Sequence, residues 1–258
     1  MSRSFVVRQS QIIGALMMRE MATRYGRRGL GFFWIVGEPL LFCIGVIILW
    51  TFVRSHSAHG LGVAPFAMSG YMCLILLRHS ISFSLNAMGA NLGLMYHRAL
   101  APLHFYISRS VLEFGGTTAA FVVVYSALIA LRQVSFPQDY LLLYGGWLLM
   151  WVMSTGVGFI LSGLAMRSDV MERFVPLISY ALIPLSGVFF MIDWLPAAVR
   201  EIYLWVPFPN AIEMVRAGVF GEGVPTHFRL GYAVGVSVFL LLAGLLMIKN
   251  AEGYVDVG

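Results

Sequence analysis

The sequence predicts an all-α membrane protein with six transmembrane helices, and two observations carry that prediction. The first is composition: 59% of the 258 residues are hydrophobic and only 11% are charged, whereas soluble domains carry about 25% charged residues. The second is that the apolar residues form long continuous runs, which excludes a closed β-barrel with its alternating pattern. The mean hydropathy of +0.83 agrees with both observations.

A helix needs roughly 20 apolar residues to cross about 30 Å of hydrocarbon. Six runs meet this requirement, at 31–53, 64–87, 107–131, 139–165, 172–191 and 229–248. The first thirty residues scatter arginines among apolar residues, so we expect no cleaved secretory signal. Cys43 and Cys73 lie inside apolar runs and indicate small buried side chains rather than a disulfide or a metal pair.

The basic residues predict that both termini lie in the cytoplasm. With the N-terminus inside, eleven basic residues fall on the cytoplasmic side and five on the other, while Arg78 lies within the second run. The eleven are Arg3, Arg8, Arg19, Arg24, Arg27, Arg28, Arg98, Arg109, Arg167, Arg173 and Lys249, and the five are Arg54, Arg132, Arg200, Arg216 and Arg229. We therefore assign the positive charge to membrane topology and expect no nucleic acid partner.

Residues 5–25 predict an amphipathic helix in the membrane interface. The apolar face contains Ile12, Ile13, Leu16, Met17 and Met21, and the polar face contains Arg8, Gln11, Arg19, Glu20, Thr23 and Arg24. A disordered basic tail is the alternative. The predicted organisation is an interfacial helix within 1–29, a transmembrane domain over 30–250 and a cytoplasmic tail over 251–258.

Residues 192–228 predict two short helices on either side of the Pro-Phe-Pro stretch at 207–209. Each is about 15 Å long at 1.5 Å per residue, too short to cross a bilayer. Asn210 is the predicted N-cap of the second helix with Glu213 as its capping partner, and Glu213 and Arg216 are spaced to pair. We predict a re-entrant helical hairpin from the outer face; two helices lying on the surface are the alternative.

Three segments resemble ABC-2-type export permeases. RYGRRGLGFFWIVGEPLL (24–41) resembles the start of their first span, and MYHRALAPLHFYISRSVLEF (95–114) resembles their cytoplasmic coupling segment. PLSGVFFMIDWLP with WVPFPNAIEMVRAGVF (184–220) resembles their outer re-entrant hairpin. The resemblance covers essentially the whole chain in order, and it is strongest for the capsular polysaccharide permeases, with O-antigen permeases next.

This resemblance implies a transport subunit of the bacterial inner membrane and not an enzyme. Two copies would form a pore for a lipid-linked capsular polysaccharide, and two copies of a separate P-loop ATPase would bind ATP and Mg. A periplasmic or outer-membrane export partner is a further expectation. The sequence contains no Gly-x-x-x-x-Gly-Lys-Ser/Thr motif, so we expect no cofactor in this chain.

The resemblance also implies that the loop over 89–105 couples the chain to the ATPase. Tyr96, His97 and Arg98 are its expected contacts, and an ordinary loop between spans is the alternative. His97 is unconvincing as a metal ligand because no acidic partner lies between it and His104.

Glu38 and Pro39 stand just inside the first predicted span. Glu38 is a candidate partner for arginines of the interfacial helix, namely Arg24, Arg27 or Arg28, and Pro39 is a candidate kink. Together they would set the angle between that helix and the first span. The alternative is that Glu38 reaches the lipid headgroups and Pro39 is tolerated in the first turn.

Arg78 lies in the middle of the second run, where an arginine costs about 2.5–3.5 kcal/mol to insert. Such a residue faces the protein interior or a water-filled path, so we assign Arg78 and His79 to the translocation pathway. A structural pair with Glu113, or a shifted span boundary, is the alternative. Aromatic rings that could stack on sugars add further candidates, although Trp and Tyr also form interfacial belts; they are Phe83, Tyr125, Tyr144, Trp147, Trp151 and Tyr180.

Other functions remain as alternatives. Within transport these are an O-antigen or other glycan exporter and a lipid or drug exporter of the ABC-2 type. A membrane-embedded enzyme is a distant alternative, because the sequence contains no His-Glu-x-x-His, no Gly-x-Ser-x-Gly and no paired intramembrane aspartates. A purely structural assembly subunit is equally distant.

Overall fold

A computed structural model describes residues 3–25, 31–53, 61–85, 87–94 and 100–251. Within these ranges the regular elements are helical and no strand is present. The α-helices are α1 (Arg3–Tyr25), α2 (Gly31–Val53), α3 (Val63–Leu85), α4 (Pro102–Ala130), α5 (Tyr140–Ala165), α6 (Asp169–Leu185), α7 (Ala197–Tyr203), α8 (Pro207–Phe220) and α9 (Leu230–Ala251). Short 3₁₀ turns cover Gly89–Leu94, Ile192–Trp194 and Gly221–Gly223.

Five of the described helices, α2, α3, α4, α5 and α9, are long and apolar enough to cross a membrane. The run predicted over 172–191 overlaps α6, which ends at Leu185, has 17 residues and contains Pro176 and Pro184. At 1.5 Å per residue α6 is about 25 Å long, which is shorter than the roughly 30 Å of a bilayer core. The all-α fold class is therefore confirmed, and five of the six predicted spans have helices of sufficient length.

The helix α5 lies at the centre of the bundle, where it packs against α3, α8 and α9. Glycines bring α5 and α9 close together: a Cβ atom added at Gly156 would lie 2.6 Å from the carbonyl carbon of Leu240, and one added at Gly244 would lie 2.7 Å from the carbonyl oxygen of Gly156. Small residues at such contacts let two helix backbones approach. The core therefore forms around α5, while α2 and α9 leave most of their side chains outside it.

The helix α1 covers Arg3–Tyr25, where the sequence predicted a helix over 5–25. Its predicted apolar face is the more buried one, and Glu20 is the exception. Leu16 and Glu20, one turn apart, are both buried, whereas the sequence pattern assigns Glu20 to the polar face. Met18, in contrast, is 65% exposed. Glu20 can be buried because Arg109 of α4 supplies the opposite charge at 2.8 Å.

The connection between α6 and α9 contains two short helices, as predicted, but their boundary lies elsewhere. The helix α8 begins at Pro207, so the Pro-Phe-Pro stretch opens this helix instead of separating it from α7. Proline suits the first helical position because the N–H group there has no partner within the helix. The prediction of Asn210 as the N-cap is therefore wrong: Val206 is the N-cap and Asn210 lies inside α8.

Candidate functional site

A cavity of about 230 Å³ lies between α2 and α3. Its lining consists of Glu38, Phe42, Tyr71, Leu74, Ile75, Arg78, His79, Ser82 and Phe83. The α3 residues recur every three or four positions and so occupy one face of that helix. Glu38 and Phe42, one turn apart on α2, complete the wall. The α2–α3 cavity thus combines a carboxylate, a guanidinium and an imidazole with aromatic rings.

Arg78 reaches from α3 toward α6 as well as lining the cavity. Its guanidinium carbon lies 5.1 Å from the centroid of the Tyr180 ring, within the range of a cation–π interaction. No hydrogen-bond partner of the buried Nε atom of Arg78 is found among the described residues. A guanidinium has five N–H donors, so Arg78 retains donor capacity for a ligand.

His79 connects the wall of the cavity to α4. Its Nδ1 atom lies 3.4 Å from a carboxylate oxygen of Glu113, and the two side chains are only 17% and 6% exposed. The His79 ring also meets the ring of Phe83 edge-on, with centroids 5.3 Å apart. The sequence left Glu113 as an alternative partner of Arg78; in the fold Glu113 lies against His79, and Arg78 lies over Tyr180.

Arg109, one turn before Glu113 on α4, joins three helices. Its Nη2 atom donates to Glu20 of α1 at 2.8 Å, and its Nη1 atom donates to the carbonyl group of Phe83 in α3 at 3.0 Å. Both Arg109 and Glu20 are buried. Sequence reasoning missed this site because it counted Arg109 among the cytoplasmic charges. The available signal was the arginine and glutamate one turn apart in an otherwise apolar helix.

Two further polar contacts attach α1 to its surroundings. Arg19 donates to the side-chain oxygen of Asn91 in the Gly89–Leu94 turn at 2.5 Å, and the Asn91 amide group in turn donates to the carbonyl group of Ala87 at 2.8 Å. Gln9 forms a hydrogen bond with His104 near the start of α4. Polar groups therefore fix α1 both to α4 and to the turn that precedes the predicted coupling residues.

A second buried site lies on α8, far along the chain from the cavity residues. Arg216 is fully buried, and its guanidinium group donates to three carbonyl groups just after α6, those of Gly187 at 3.2 Å, Phe190 at 2.7 Å and Val188 at 2.8 Å. Gly187 has a φ of 80° there, a left-handed conformation that suits glycine. Arg216 thus satisfies the backbone where the chain leaves α6.

Glu213 completes this site from the preceding turn of α8. Its carboxylate accepts from Arg216 at 3.3 Å, from the backbone N–H of Ile192 at 3.4 Å and from that of His227 at 3.2 Å. Burial raises the pKa of the Glu213 carboxyl, and the Arg216 charge and the two N–H groups oppose that rise. Burial likewise lowers the pKa of Arg216, and Glu213 opposes that fall. The pair therefore holds two otherwise separate parts of the α6–α9 connection.

Asn210 acts in the same way one turn earlier. Its side-chain amide donates to the carbonyl groups of Leu204 at 3.0 Å and Val206 at 2.8 Å, and its side-chain oxygen accepts from the N–H of Arg229 at 2.8 Å. The three residues that the sequence assigned to the hairpin, Asn210, Glu213 and Arg216, are thus brought together on α8.

Residues 11–220 match the family model of the ABC-2 type transporter, a range that runs from within α1 to the end of α8. The chain belongs to the ABC-2 type transporter family. It is 36% identical over 242 residues to the capsule polysaccharide export inner-membrane protein BexB of Haemophilus influenzae, covering 94% of this chain and 91% of BexB.

Two other relatives of this ABC-2 transporter chain have related names. The capsule polysaccharide export inner-membrane protein CtrC of Neisseria meningitidis is 35% identical over 242 residues, covering 94% of this chain and 91% of CtrC. The polysialic acid transport protein KpsM of Escherichia coli is 24% identical over 256 residues, covering 98% of each chain. The family resemblance drawn from the three sequence segments is therefore confirmed.

The fold of this ABC-2 chain separates the predicted pathway residues into two groups. Arg78, His79 and Phe83 line the α2–α3 cavity, and Tyr180 lies beside Arg78. Tyr125 and Trp151 lie instead in the contact between α4 and α5. Tyr125 is buried and donates to the carbonyl group of Ser135; Trp151 stacks on Phe114 at 4.3 Å and donates to Ser110.

Several predicted residues of the ABC-2 chain lie outside the described ranges. They are Tyr96, His97 and Arg98 of the coupling segment and Arg27 and Arg28 of the expected Glu38 pairing; for Arg24 the backbone belongs to α1 and the side chain is outside the description. Glu38 itself lines the α2–α3 cavity. In the described part of the chain, no group of three His, Cys, Asp or Glu side chains is arranged to hold a metal ion.

Proposed function

We propose that the chain is the membrane-spanning permease subunit of an ATP-driven exporter that carries a lipid-linked capsular polysaccharide across the bacterial inner membrane. The observation that carries this proposal is the 36% identity, over 94% of the chain, to an inner-membrane protein named for capsule polysaccharide export. The chain makes and breaks no covalent bond in this function. It provides a protein-lined path, and ATP hydrolysis in a partner shifts the populations of its conformations.

Deleting the gene tests this proposal. Polymer synthesis should continue and the polymer should accumulate inside the cell, while surface capsule disappears. Re-expression of the parent chain should restore surface capsule. Normal surface capsule in the deletion strain would overturn the proposal, and a selective loss of O-antigen would favour that alternative substrate.

We further propose that α2–α6 and α9 are the six spans, with both termini in the cytoplasm. The helix α6 is short for a transmembrane helix. It can cross where the bilayer thins locally, or where the turn that follows it continues through the hydrocarbon. Arg109 and Arg216 are buried and are therefore poor signals of topology. One was counted on each side of the membrane, so leaving both out of the count does not change the cytoplasmic excess of basic residues.

Fusing a periplasm-active phosphatase to each terminus should give inactive fusions; an active fusion at one end contradicts this topology.

The segment over 192–228 is proposed as a re-entrant hairpin formed by α7 and α8. Backbone groups at membrane depth need partners within the protein. Asn210, Glu213 and Arg216 supply them, because their buried side chains bond carbonyl and N–H groups before and after α8. In a pair of helices on the membrane surface, water would form hydrogen bonds with these carbonyl and N–H groups. Three buried polar side chains would then not be needed.

The pathway is proposed to include Arg78, His79, Phe83 and Tyr180. The support is that Arg78, His79 and Phe83 line one cavity and that Tyr180 lies against Arg78. A polar cavity with aromatic walls suits hydroxyl-rich sugars. Tyr125 remains a candidate because it lines a second cavity, of about 140 Å³, together with Tyr144 and Trp147. Trp151 stacks on Phe114 and would have to leave that contact to reach a substrate.

The transporter is proposed as a homodimer with two copies of a P-loop ATPase that hold ATP and Mg, joined on the far side of the membrane by a periplasmic or outer-membrane export partner. The loop over 89–105, with Tyr96, His97 and Arg98, is the proposed contact with the ATPase, and the N-terminal region over 1–29 is the proposed interfacial helix. Co-purification of the chain with the ATPase, and loss of that association on replacing Tyr96 and His97 by alanine, tests this arrangement.

A further inference from the structure

We propose that Arg109 and Glu113 of α4 are positioning residues that couple the α2–α3 cavity to α1. Through them, the wall of the cavity and α1 change conformation together. This inference rests on the proposed transport function and names the connection by which the proposed pathway and the ATPase side of the chain would communicate.

The connection consists of three polar contacts made from one turn of α4. On the cavity side, Glu113 lies 3.4 Å from His79, and Arg109 donates to the carbonyl group of Phe83 at 3.0 Å; His79 and Phe83 both line the cavity. On the other side, Arg109 donates to Glu20 of α1 at 2.8 Å. One turn of α4 therefore contacts the cavity wall and α1 at the same time.

Burial makes these contacts hard to break one at a time. Glu20, Arg109 and Glu113 are 7%, 5% and 4% exposed, and separating one member of such a pair leaves an unpaired charge away from water. Moving the cavity wall therefore requires less free energy when Arg109 and Glu20 move together with it than when their contact breaks. Packed elements of this kind switch between discrete arrangements instead of deforming gradually.

The attachment of α1 combines these polar contacts with modest apolar burial, since Ile12, Ile13, Met17 and Met21 are partly buried. Within the described side chains of α1, Leu16 is the buried hydrophobic residue, and Val7 and Met18 are exposed. A helix with one fully buried apolar side chain has a low local stability, so loss of a polar contact should affect its position. Of its two further polar contacts, Gln9 with His104 and Arg19 with Asn91, the second reaches the turn immediately before 95–99. Movement of α1 would thus pass between the cavity and the proposed coupling segment.

The coupling predicts a labelling result that a merely structural role would not give. Ser82 lines the cavity and is exposed, so a Ser82→Cys variant, made with Cys43→Ala and Cys73→Ala, reports access to the cavity by its rate of reaction with a maleimide. In membranes containing the ATPase partner, a non-hydrolysable ATP analogue should change that rate by about fivefold or more, the lower end of ordinary coupling between two sites.

Adding Glu20→Gln should abolish the nucleotide-dependent change while leaving the rate without nucleotide unaltered. The membrane level of the chain should fall, because Arg109 loses its countercharge, so each rate is measured per labelled chain. Arg109→Gln should also abolish the nucleotide-dependent change. If the Arg109→Gln chain does not accumulate in the membrane, the Glu20→Gln result tests the coupling. Glu222→Gln, the same chemical change at an exposed residue of the Gly221–Gly223 turn, is the matched control and should retain the change.

Persistence of the change in Glu20→Gln, or its absence in the parent, overturns the coupling. Export by the parent is measured in the same strain. Loss of the coupling with intact export leaves the proposed function standing, whereas a parent that cannot restore surface capsule to the deletion strain removes the proposed function itself.

Discussion

Arg216 and Glu213 lie 3.3 Å apart on consecutive turns of α8, and each side chain is only 1% exposed. The pair does not close on itself. Arg216 reaches the three carbonyl groups that follow α6, and Glu213 reaches the N–H groups of Ile192 and His227. Two residues of one short helix thereby determine the path of the backbone both before α7 and before α9.

Replacing Arg216 with methionine should strongly reduce the amount of folded chain in the membrane. The substitution leaves the Glu213 carboxylate buried without its countercharge and leaves three carbonyl groups without donors, a loss of about 3–5 kcal/mol. Thermal unfolding of the detergent-solubilised chain, followed by loss of its monodisperse gel-filtration peak, measures the effect.

Two comparisons control this result. Arg173→Gln, at an exposed position of α6, should leave the unfolding temperature unchanged. The double variant Glu213→Gln with Arg216→Met should be less destabilised than the sum of the two single variants. Strict additivity would show that the two residues act independently, contrary to the geometry.

Replacing Arg78 with glutamine should abolish most export without lowering the amount of chain. An arginine within a span costs about 2.5–3.5 kcal/mol to insert, so its removal relieves a cost while deleting the donor that faces the cavity. Surface capsule and membrane level of the chain, measured in the same cells, separate the two effects. A loss of both together would indicate that the contact of Arg78 with Tyr180 is structural.

Replacing Glu38 with glutamine should impair export. The change keeps the size of the side chain but removes its charge, which is available both to the arginines of the N-terminal region and to the cavity that it lines. Surface capsule and the yield of dimer report the outcome. Normal values of both would remove Glu38 from the mechanism.

Replacing Gly156 with alanine should destabilise the contact between α5 and α9. The added methyl group would lie 2.6 Å from the backbone of Leu240, and forcing extra atoms into a packed contact costs about 1–3 kcal/mol. A lower unfolding temperature in detergent is the expected measurement.

Gly115→Ala provides the matched comparison, because an added methyl group there meets nothing within 4 Å. Alanine is the better helix former by about 1 kcal/mol, so this variant should be as stable as the parent or more stable. Equal behaviour of the two variants would contradict the close approach of α5 and α9.

The helices were predictable because their signals are local. Hydropathy is read within one run of residues, and α2 coincides with its predicted run over 31–53. The Glu213–Arg216 pair was predictable for the same reason, since both residues share one helix face. The N-cap at Asn210 was not, because Pro207 supports a helical start three residues earlier and makes Asn210 an interior residue.

The sequence by itself determined the class of the protein: apolar runs of sufficient length, arginines concentrated near the N-terminus, and three segments typical of ABC-2 permeases. Only the tertiary structure decided which polar residues meet. Glu20 and Arg109 are far apart in the chain, and although Glu20 is the single acidic residue of α1, nothing local shows which arginine it meets. Burial in a shared contact selects that carboxylate as the partner of Arg109, because an arginine away from water requires an opposite charge, and the fold alone brings one within reach.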